Sequence, residues 1–221
     1  MALQLHSRAT PPTSRHFREP TRMMRIALPF LFLASVAVAQ SPLARYRAAA
    51  SSLGEAKAAV ASAQSEFATC SNGRLQLAFA GSLPKLEGAR RSFEKSRKQA
   101  ERARQDLEVT RRRIEAARGA KHGSVAEREA AEARYATRLV EEYETPMATV
   151  AAAVERYRSG MVEYAGLMKR YAAFCATPGI TDASARTFVN ELTPAIDALA
   201  AHAEKSRGEV KAPARDVSAR E

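Results

Sequence analysis

Apolar residues recur every seven positions through most of the chain after residue 43. In the first such segment, larger apolar residues alternate with small ones three positions later, as at the a and d positions of a coiled coil. The larger row is Tyr46, Leu53, Val60 and Phe67, and the smaller row is Ala49, Ala56, Ala63 and Cys70. The pattern predicts a first helix from Leu43 to Cys70 whose small residues let a neighbouring helix approach closely.

The next segment carries five uninterrupted heptads. One row is Leu86, Phe93, Ala100, Leu107 and Ile114, and the other is Ala89, Ser96, Ala103, Thr110 and Ala117. Ser82 is a candidate cap ahead of Pro84, and Gly119 is a stop signal at the far end. A second long helix is predicted here, paired antiparallel with the first.

A third helix is predicted from the capping box Ser124-Val125-Ala126-Glu127 towards Phe174. Its rows are Met147, Val154, Met161, Met168 and Cys175 on one line, and Tyr143, Val150, Tyr157, Tyr164 and Tyr171 on the other. Because proline lacks an amide hydrogen and its ring clashes with the preceding turn, Pro146 should kink or divide this helix near Thr145.

A fourth helix is predicted after the breaker Thr177-Pro178-Gly179, beginning at Thr181 or Asp182. Its rows are Leu192 and Leu199, and Val189, Ile196 and Ala203, with a bend expected at Pro194. The one strand candidate, Leu75 to Ala80, could equally form a helical turn. The predicted fold is therefore all-α: an elongated antiparallel bundle of about four helices containing a coiled-coil hairpin.

The N-terminal residues have the pattern of a secretory signal peptide over Met24 to Ala39. Arg25 precedes an apolar run, and Ala37-Val38-Ala39 resembles a cleavage site. The run has about 13 residues, fewer than the roughly 20 that a membrane-spanning helix needs. Residues 1–23 are interpreted as a disordered extension or a start codon placed too far upstream. The prediction is a periplasmic or secreted protein with a bundle domain at 40–207 and a disordered tail at 208–221.

The two cysteines, Cys70 and Cys175, carry no CxxC motif. In an oxidising compartment such a pair normally forms a structural disulfide. In an up-down-up path, the ends of the first and third helices lie at the same pole, and these ends hold the two cysteines. A Cys70–Cys175 bridge is therefore predicted, provided that residues 71–82 span the difference in helix length.

Positive charge is concentrated in the second helix. The chain has a formal net charge of +11, and the segment Lys85 to Lys121 holds 13 basic and six acidic residues. Most of the basic side chains lie outside the apolar rows and should face solvent or a partner. The candidate residues for binding an anion or a partner are Arg90, Arg91, Arg97, Lys98, Arg104, Arg111, Arg112 and Arg113. The alternative is a charged face without a ligand, in which Glu94 pairs with Lys98 and Glu108 with Arg112 at four-residue spacing.

No catalytic, metal-binding or cofactor motif occurs in the sequence: GxSxG, a phosphate-binding glycine loop, HExxH and Glu-x-x-His are all absent. No catalytic residue, metal or cofactor is therefore expected. His122 is interpreted as a loop residue and His202 as exposed or interfacial. The acidic cluster at 141–144 is interpreted as a solvated helix face, and the tyrosines of the third helix as core rings whose hydroxyls reach the rim.

The leading functional hypothesis is an exported, non-enzymatic helical-bundle protein that acts by contact with a protein partner in the cell envelope, as an adaptor, a chaperone-like binder or a structural component. The alternative is binding of an anionic envelope polymer or of lipid headgroups through the basic helix at 85–121. Nucleic acid is disfavoured because Phe93, the aromatic residue of this helix, belongs to the apolar seam and cannot stack on bases. The sequence leaves the oligomeric state open.

Overall fold

The computed structural model describes residues 41–118 and 124–209, and within these ranges it contains helices and no strands. The elements are α1 (Pro42–Ser51), α2 (Leu53–Ala68), α3 (Gly73–Phe79), α4 (Leu83–Arg118), α5 (Val125–Leu139), a π-helical turn (Val140–Glu144), α6 (Thr145–Cys175) and α7 (Asp182–Glu209). The all-α prediction is confirmed. The predicted signal peptide, residues 1–23, His122 and the chain beyond Glu209 lie outside the described residues.

Helix α6 is the central helix of the bundle. It packs against α1, α2, α4 and α7, whereas α4 packs against α6 and α7. Contacts along α6 show that α4 and α7 run antiparallel to it, and that α1 and α2 run parallel to it. The order of α2, α4, α6 and α7 is thus up, down, up, down, as the sequence predicted for the first three.

The close partner of the first predicted helix differs from the expectation. Its small residues Ala56 and Ala63 are buried, but the helix that approaches them is α6 and not α4. The coiled-coil hairpin is formed by α4 and α6. The tyrosines of α6 hydrogen-bond to glutamates of α4, whereas Tyr46 is the one residue of the first helix that does so in the described ranges.

The predicted apolar rows form the core. All five large-row residues of α4 are at most 4% exposed, and the rings of Tyr157, Tyr164 and Tyr171 on α6 are at most 1% exposed. The corresponding rows of α7, including Leu192, Leu199 and Ile196, are buried as well. The sevenfold spacing therefore identified the buried face of every long helix.

Several helix boundaries follow the predicted local chemistry. Ser124 and Glu127 form the complete capping box at the start of α5. The first predicted helix is divided at Ser52, the strand candidate is the helix α3, and α7 continues through Pro194 and ends two residues beyond Arg207. None of the helices in the described ranges is both long and apolar enough to span a membrane.

Pro146 divides the third predicted helix at the expected place, and does so through a π-helical turn. In this turn the amide of Thr145 donates to the carbonyl of Val140, five residues earlier. A π-turn inserts one residue into a helix. Proline fits here because it occupies the first turn of α6, where its missing amide hydrogen is not required.

The predicted disulfide is present. Cys70 and Cys175 are bonded, with 5.8 Å between their Cα atoms, so the ends of α2 and α6 lie at one pole as predicted. Beneath the bond, Phe67 and Phe79 pack against Tyr171 with centroids 4.6 Å from its ring. Cross-linking residues 105 positions apart constrains the unfolded chain by up to about 4.7 kcal/mol.

The closest approach of a side chain to a helix backbone occurs at Gly160 in α6. A Cβ atom at this position would lie 2.2 Å from Cζ of Phe93. The Phe93 ring is fully buried and meets His202 edge-on at 5.3 Å, so it has little room to withdraw. The absence of a side chain at residue 160 therefore allows α4 to approach α6.

We expect Gly160→Ala to destabilise the fold by up to about 2 kcal/mol, because overpacking costs about 1–3 kcal/mol and helix propensity returns about 1 kcal/mol. Gly166→Ala in the same helix is the matched control: a Cβ there meets nothing within 4 Å, and it should stabilise. Urea unfolding measures both. Equal effects of the two substitutions would contradict the proposed contact, and Phe93→Leu should relieve the loss at residue 160.

Candidate functional site: the charged face of α4

Five Glu-x-x-Arg units follow one another along α4 at the heptad spacing. The glutamates are Glu87, Glu94, Glu101, Glu108 and Glu115, and the arginines are Arg90, Arg97, Arg104, Arg111 and Arg118. In the first four units the arginine pairs with the glutamate three residues before it, at 2.9–3.3 Å. These eight side chains are half-buried, so the pairs are partly shielded from solvent.

Each of these four glutamates also accepts a hydrogen bond from a tyrosine of another helix. Tyr157 donates to Glu94 at 2.7 Å, Tyr143 donates to Glu108 at 3.1 Å, and Tyr164 donates to Glu87. We call the set of four Tyr–Glu–Arg units the tyrosine ladder. It lines the side of α4 that faces α6 and α1.

One unit of the tyrosine ladder takes its tyrosine from α1. The tyrosine row of α6 has Val150 at this level, and Tyr46 supplies the missing hydroxyl by donating to Glu101 at 2.6 Å. The Arg104 guanidinium lies over the Tyr46 ring at 5.5 Å, within the range of a cation–π contact. This unit therefore joins α1 to α4.

The fifth Glu-x-x-Arg unit is completed differently, beyond the π-turn. Arg118 pairs with Glu132 of α5 at 3.0 Å and lies 4.7 Å from the ring of Tyr135. Tyr135 and Tyr143 are eight residues apart, whereas the arginines that they contact are seven apart. The extra residue of the π-turn accounts for this difference, because it restores the phase between α5 and α4.

The tyrosine ladder shifts the pKa of its members in consistent directions. Burial, followed by the hydrogen bond to a carboxylate, raises the pKa of Tyr46 and of Tyr164 to about 12. The same two causes raise the pKa of Tyr157 further. The hydrogen bond from Arg104 lowers the pKa of the Glu101 carboxyl below its usual value. These phenols thus stay protonated and the Glu101 carboxylate stays ionised.

The structure separates the eight predicted binding residues into two groups. Arg90, Arg97, Arg104 and Arg111 belong to the tyrosine ladder and are paired with glutamates. Arg91, Lys98, Arg112 and Arg113 are exposed and have no acidic partner within the described ranges. The expected pairs of Glu94 with Lys98 and of Glu108 with Arg112 do not form, because both glutamates bind the arginine three residues on.

Two further cations belong with the exposed group. Lys95 and Arg102 are exposed and likewise have no acidic partner in the part of the chain that the structure describes. Sequence reasoning missed the tyrosine ladder as a unit. The signal was present as five regular Glu-x-x-Arg repeats, but their tyrosine partners lie 35 to 77 residues away along the chain for three units, and before the repeats for the fourth.

The remaining candidates do not assemble into a site. His202 is half-buried, with Nδ1 3.8 Å from a carboxylate oxygen of Glu163. Glu142 of the acidic cluster pairs with Arg138, and no group of three or more His, Cys, Asp or Glu side chains in 41–118 or 124–209 could hold a metal ion. A depression of about 520 Å³ between α1 and α4 is open to solvent, and its lining includes Leu43, Val109, Arg112 and ladder residues.

Comparison of the chain with protein-family models, with curated proteins and with solved structures gives no match.

We expect Tyr157→Phe to destabilise the protein by about 1.5–3 kcal/mol, because it removes a hydrogen bond to a charged group and leaves a half-buried carboxylate short of a donor. Tyr171→Phe is the matched control: its ring is equally buried, but its hydroxyl contacts only a disulfide sulfur, at 3.7 Å. It should cost less than about 1 kcal/mol. Equal losses in urea unfolding would show that the carboxylate contact contributes nothing.

Stability should fall as the pH rises above about 10. An unfolded tyrosine ionises near pKa 10, whereas the pKa of Tyr46 and Tyr164 is about 12 in the fold. A group whose folded pKa is raised contributes its full stability below the unfolded pKa and loses that contribution as the pH passes towards the folded value. Urea unfolding at about pH 9 and about pH 11, with tyrosinate absorbance, tests this. Titration of these tyrosines near pH 10 in the folded protein would contradict it.

Proposed function

We propose that the protein is a non-catalytic helical bundle that works outside the cytoplasm by contact with a protein partner in the cell envelope. The observation that carries the proposal is the tyrosine ladder. Polar side chains between the helices bind one another in structural pairs, so they support the fold. The signal-like pattern at 24–39 and the disulfide support an oxidising compartment.

Binding of an anionic polymer or membrane surface through α4 is a second candidate. The observation that favours it is the group of exposed, unpaired cations Arg91, Lys95, Lys98 and Arg102, together with Arg112 and Arg113. Unpaired surface cations on one helix produce a local positive potential that attracts anionic partners.

Site-specific photocrosslinking in the native host tests the first candidate. A photoreactive residue is placed in the full chain at exposed positions on α4 (Lys98), α2 (Lys57) and α7 (Lys205). We expect one protein adduct of constant mass from one of these faces and none from the others. No protein adduct from any face contradicts the first candidate. The crosslinking is then repeated at low and at moderate ionic strength. Loss of the adduct at moderate ionic strength identifies charge as the main attraction, because screening weakens exposed ion contacts.

A further inference from the structure

Four exposed cations form a single row on the outer side of α4. Arg91, Lys95, Lys98 and Arg102 follow one another at spacings of four, three and four residues. At about 100° and 1.5 Å per residue, they fall within a sector about 60° wide and extend over roughly 16 Å of the helix. We call these four residues the outer row.

The tyrosine ladder keeps two members of the outer row, Arg91 and Lys98, unpaired. Glu87 and Glu94 lie four positions before Arg91 and Lys98, the spacing at which opposite charges normally pair on a helix. Each glutamate instead binds the arginine three residues on and the hydroxyl of a tyrosine on α6. Because these contacts direct both carboxylates towards α6, Arg91 and Lys98 remain available to an external anion.

The outer row has clear ends. On the same side of the helix it is preceded by the uncharged Pro84 and Gly88 and followed by Gln105, Asp106 and Val109, of which Asp106 alone is charged, and it is acidic. The next cations, Arg112 and Arg113, lie ten and eleven residues beyond Arg102, or roughly 15 to 16 Å away. The outer row is therefore a separate patch, narrow across the helix and regular along it.

This geometry favours a chain-like ligand over a surface. Helices that bind membranes combine cations with large apolar residues that enter the lipid boundary, and the outer row contains no apolar residue. Its cations repeat at a mean of about 5.5 Å along the axis. A linear ligand with a negative charge at a similar repeat could contact all four at once, whereas a flat surface would meet a single line of charge.

We propose that the outer row binds a linear polyanion laid along α4. The proposal rests on the second candidate function and names its ligand class. Each cation replaces condensed counterions on the polyanion, so binding depends steeply on salt. The ladder tyrosines are positioning residues for this site, since they act on the cations through the glutamates.

Long-chain polyphosphate is the probe for the test, with the full chain as the protein. The test variant is Arg91→Gln/Lys95→Gln/Lys98→Gln/Arg102→Gln. The matched control, Lys57→Gln/Arg170→Gln/Arg186→Gln/Lys205→Gln, removes four exposed, unpaired cations from α2, α6 and α7. We expect the test variant to lose about tenfold or more in affinity, and the slope of log affinity against log salt to fall in magnitude by about three. The control should change affinity by less than about threefold, with its slope unchanged.

Four results would overturn the outer row as a binding site. Equal losses in the two variants would mean that net charge alone is recognised, and retained binding in the test variant would mean that the contact lies elsewhere. Binding to phosphatidylglycerol vesicles without binding to polyphosphate would assign the surface to a membrane. Loss of binding in Arg112→Gln/Arg113→Gln but not in the test variant would overturn the outer row while leaving the second candidate function standing. Thermal unfolding of each variant verifies that the fold is intact.

Discussion

The hydrogen bond from a buried tyrosine to a half-buried glutamate, repeated along the α4–α6 interface, is the interaction on which the arrangement of the helices depends. The phenol rings belong to the core, and a buried hydroxyl needs a partner. The glutamates provide it, but a carboxylate at the edge of a core is itself stable only beside a cation, and the arginine three residues on fills that role. Burial of the tyrosine row therefore requires a row of glutamates beside it on α4, and the glutamates in turn require the row of arginines.

Because the same unit recurs at each heptad, the interface specifies its own register. A slip of α6 by one heptad would still align tyrosine rows with glutamates, except at Val150, where the hydroxyl comes from Tyr46 of α1. A slipped arrangement would place Val150 opposite Glu94 or Glu108 and leave that glutamate without a tyrosine donor, because Tyr46 binds Glu101. Val150, the one residue of the row that is not a tyrosine, thus distinguishes the observed register from registers shifted by one heptad. Because Tyr46 replaces its hydroxyl, the position of α1 depends on the same register.

Local apolar periodicity was sufficient to predict the buried faces, the capping box at Ser124, the break near Pro146 and the common pole of Cys70 and Cys175. Each of these depends on residues close in sequence or on the direction of the chain. The choice of neighbour for the first helix could not be predicted in this way, because Ala56 and Ala63 would allow close approach to any helix. The sequence also suggested four-residue pairs such as Glu94 with Lys98, since nothing local indicates that a tyrosine 63 residues away will compete for the carboxylate.

Half of the candidate cations of α4 hold the bundle together and half face outward, and the two sets alternate along the same helix. The π-turn has a related role at the far end of α4. One inserted residue rotates α5 by about 100° about the helix axis relative to α6. Arg118 can therefore lie over an aromatic ring of α5, although the aromatic spacing there is eight and not seven. One inserted residue thus corrects the helical phase of a chain whose contacts otherwise repeat every seven residues. As a result, α5 and α6 both place aromatic rings against α4.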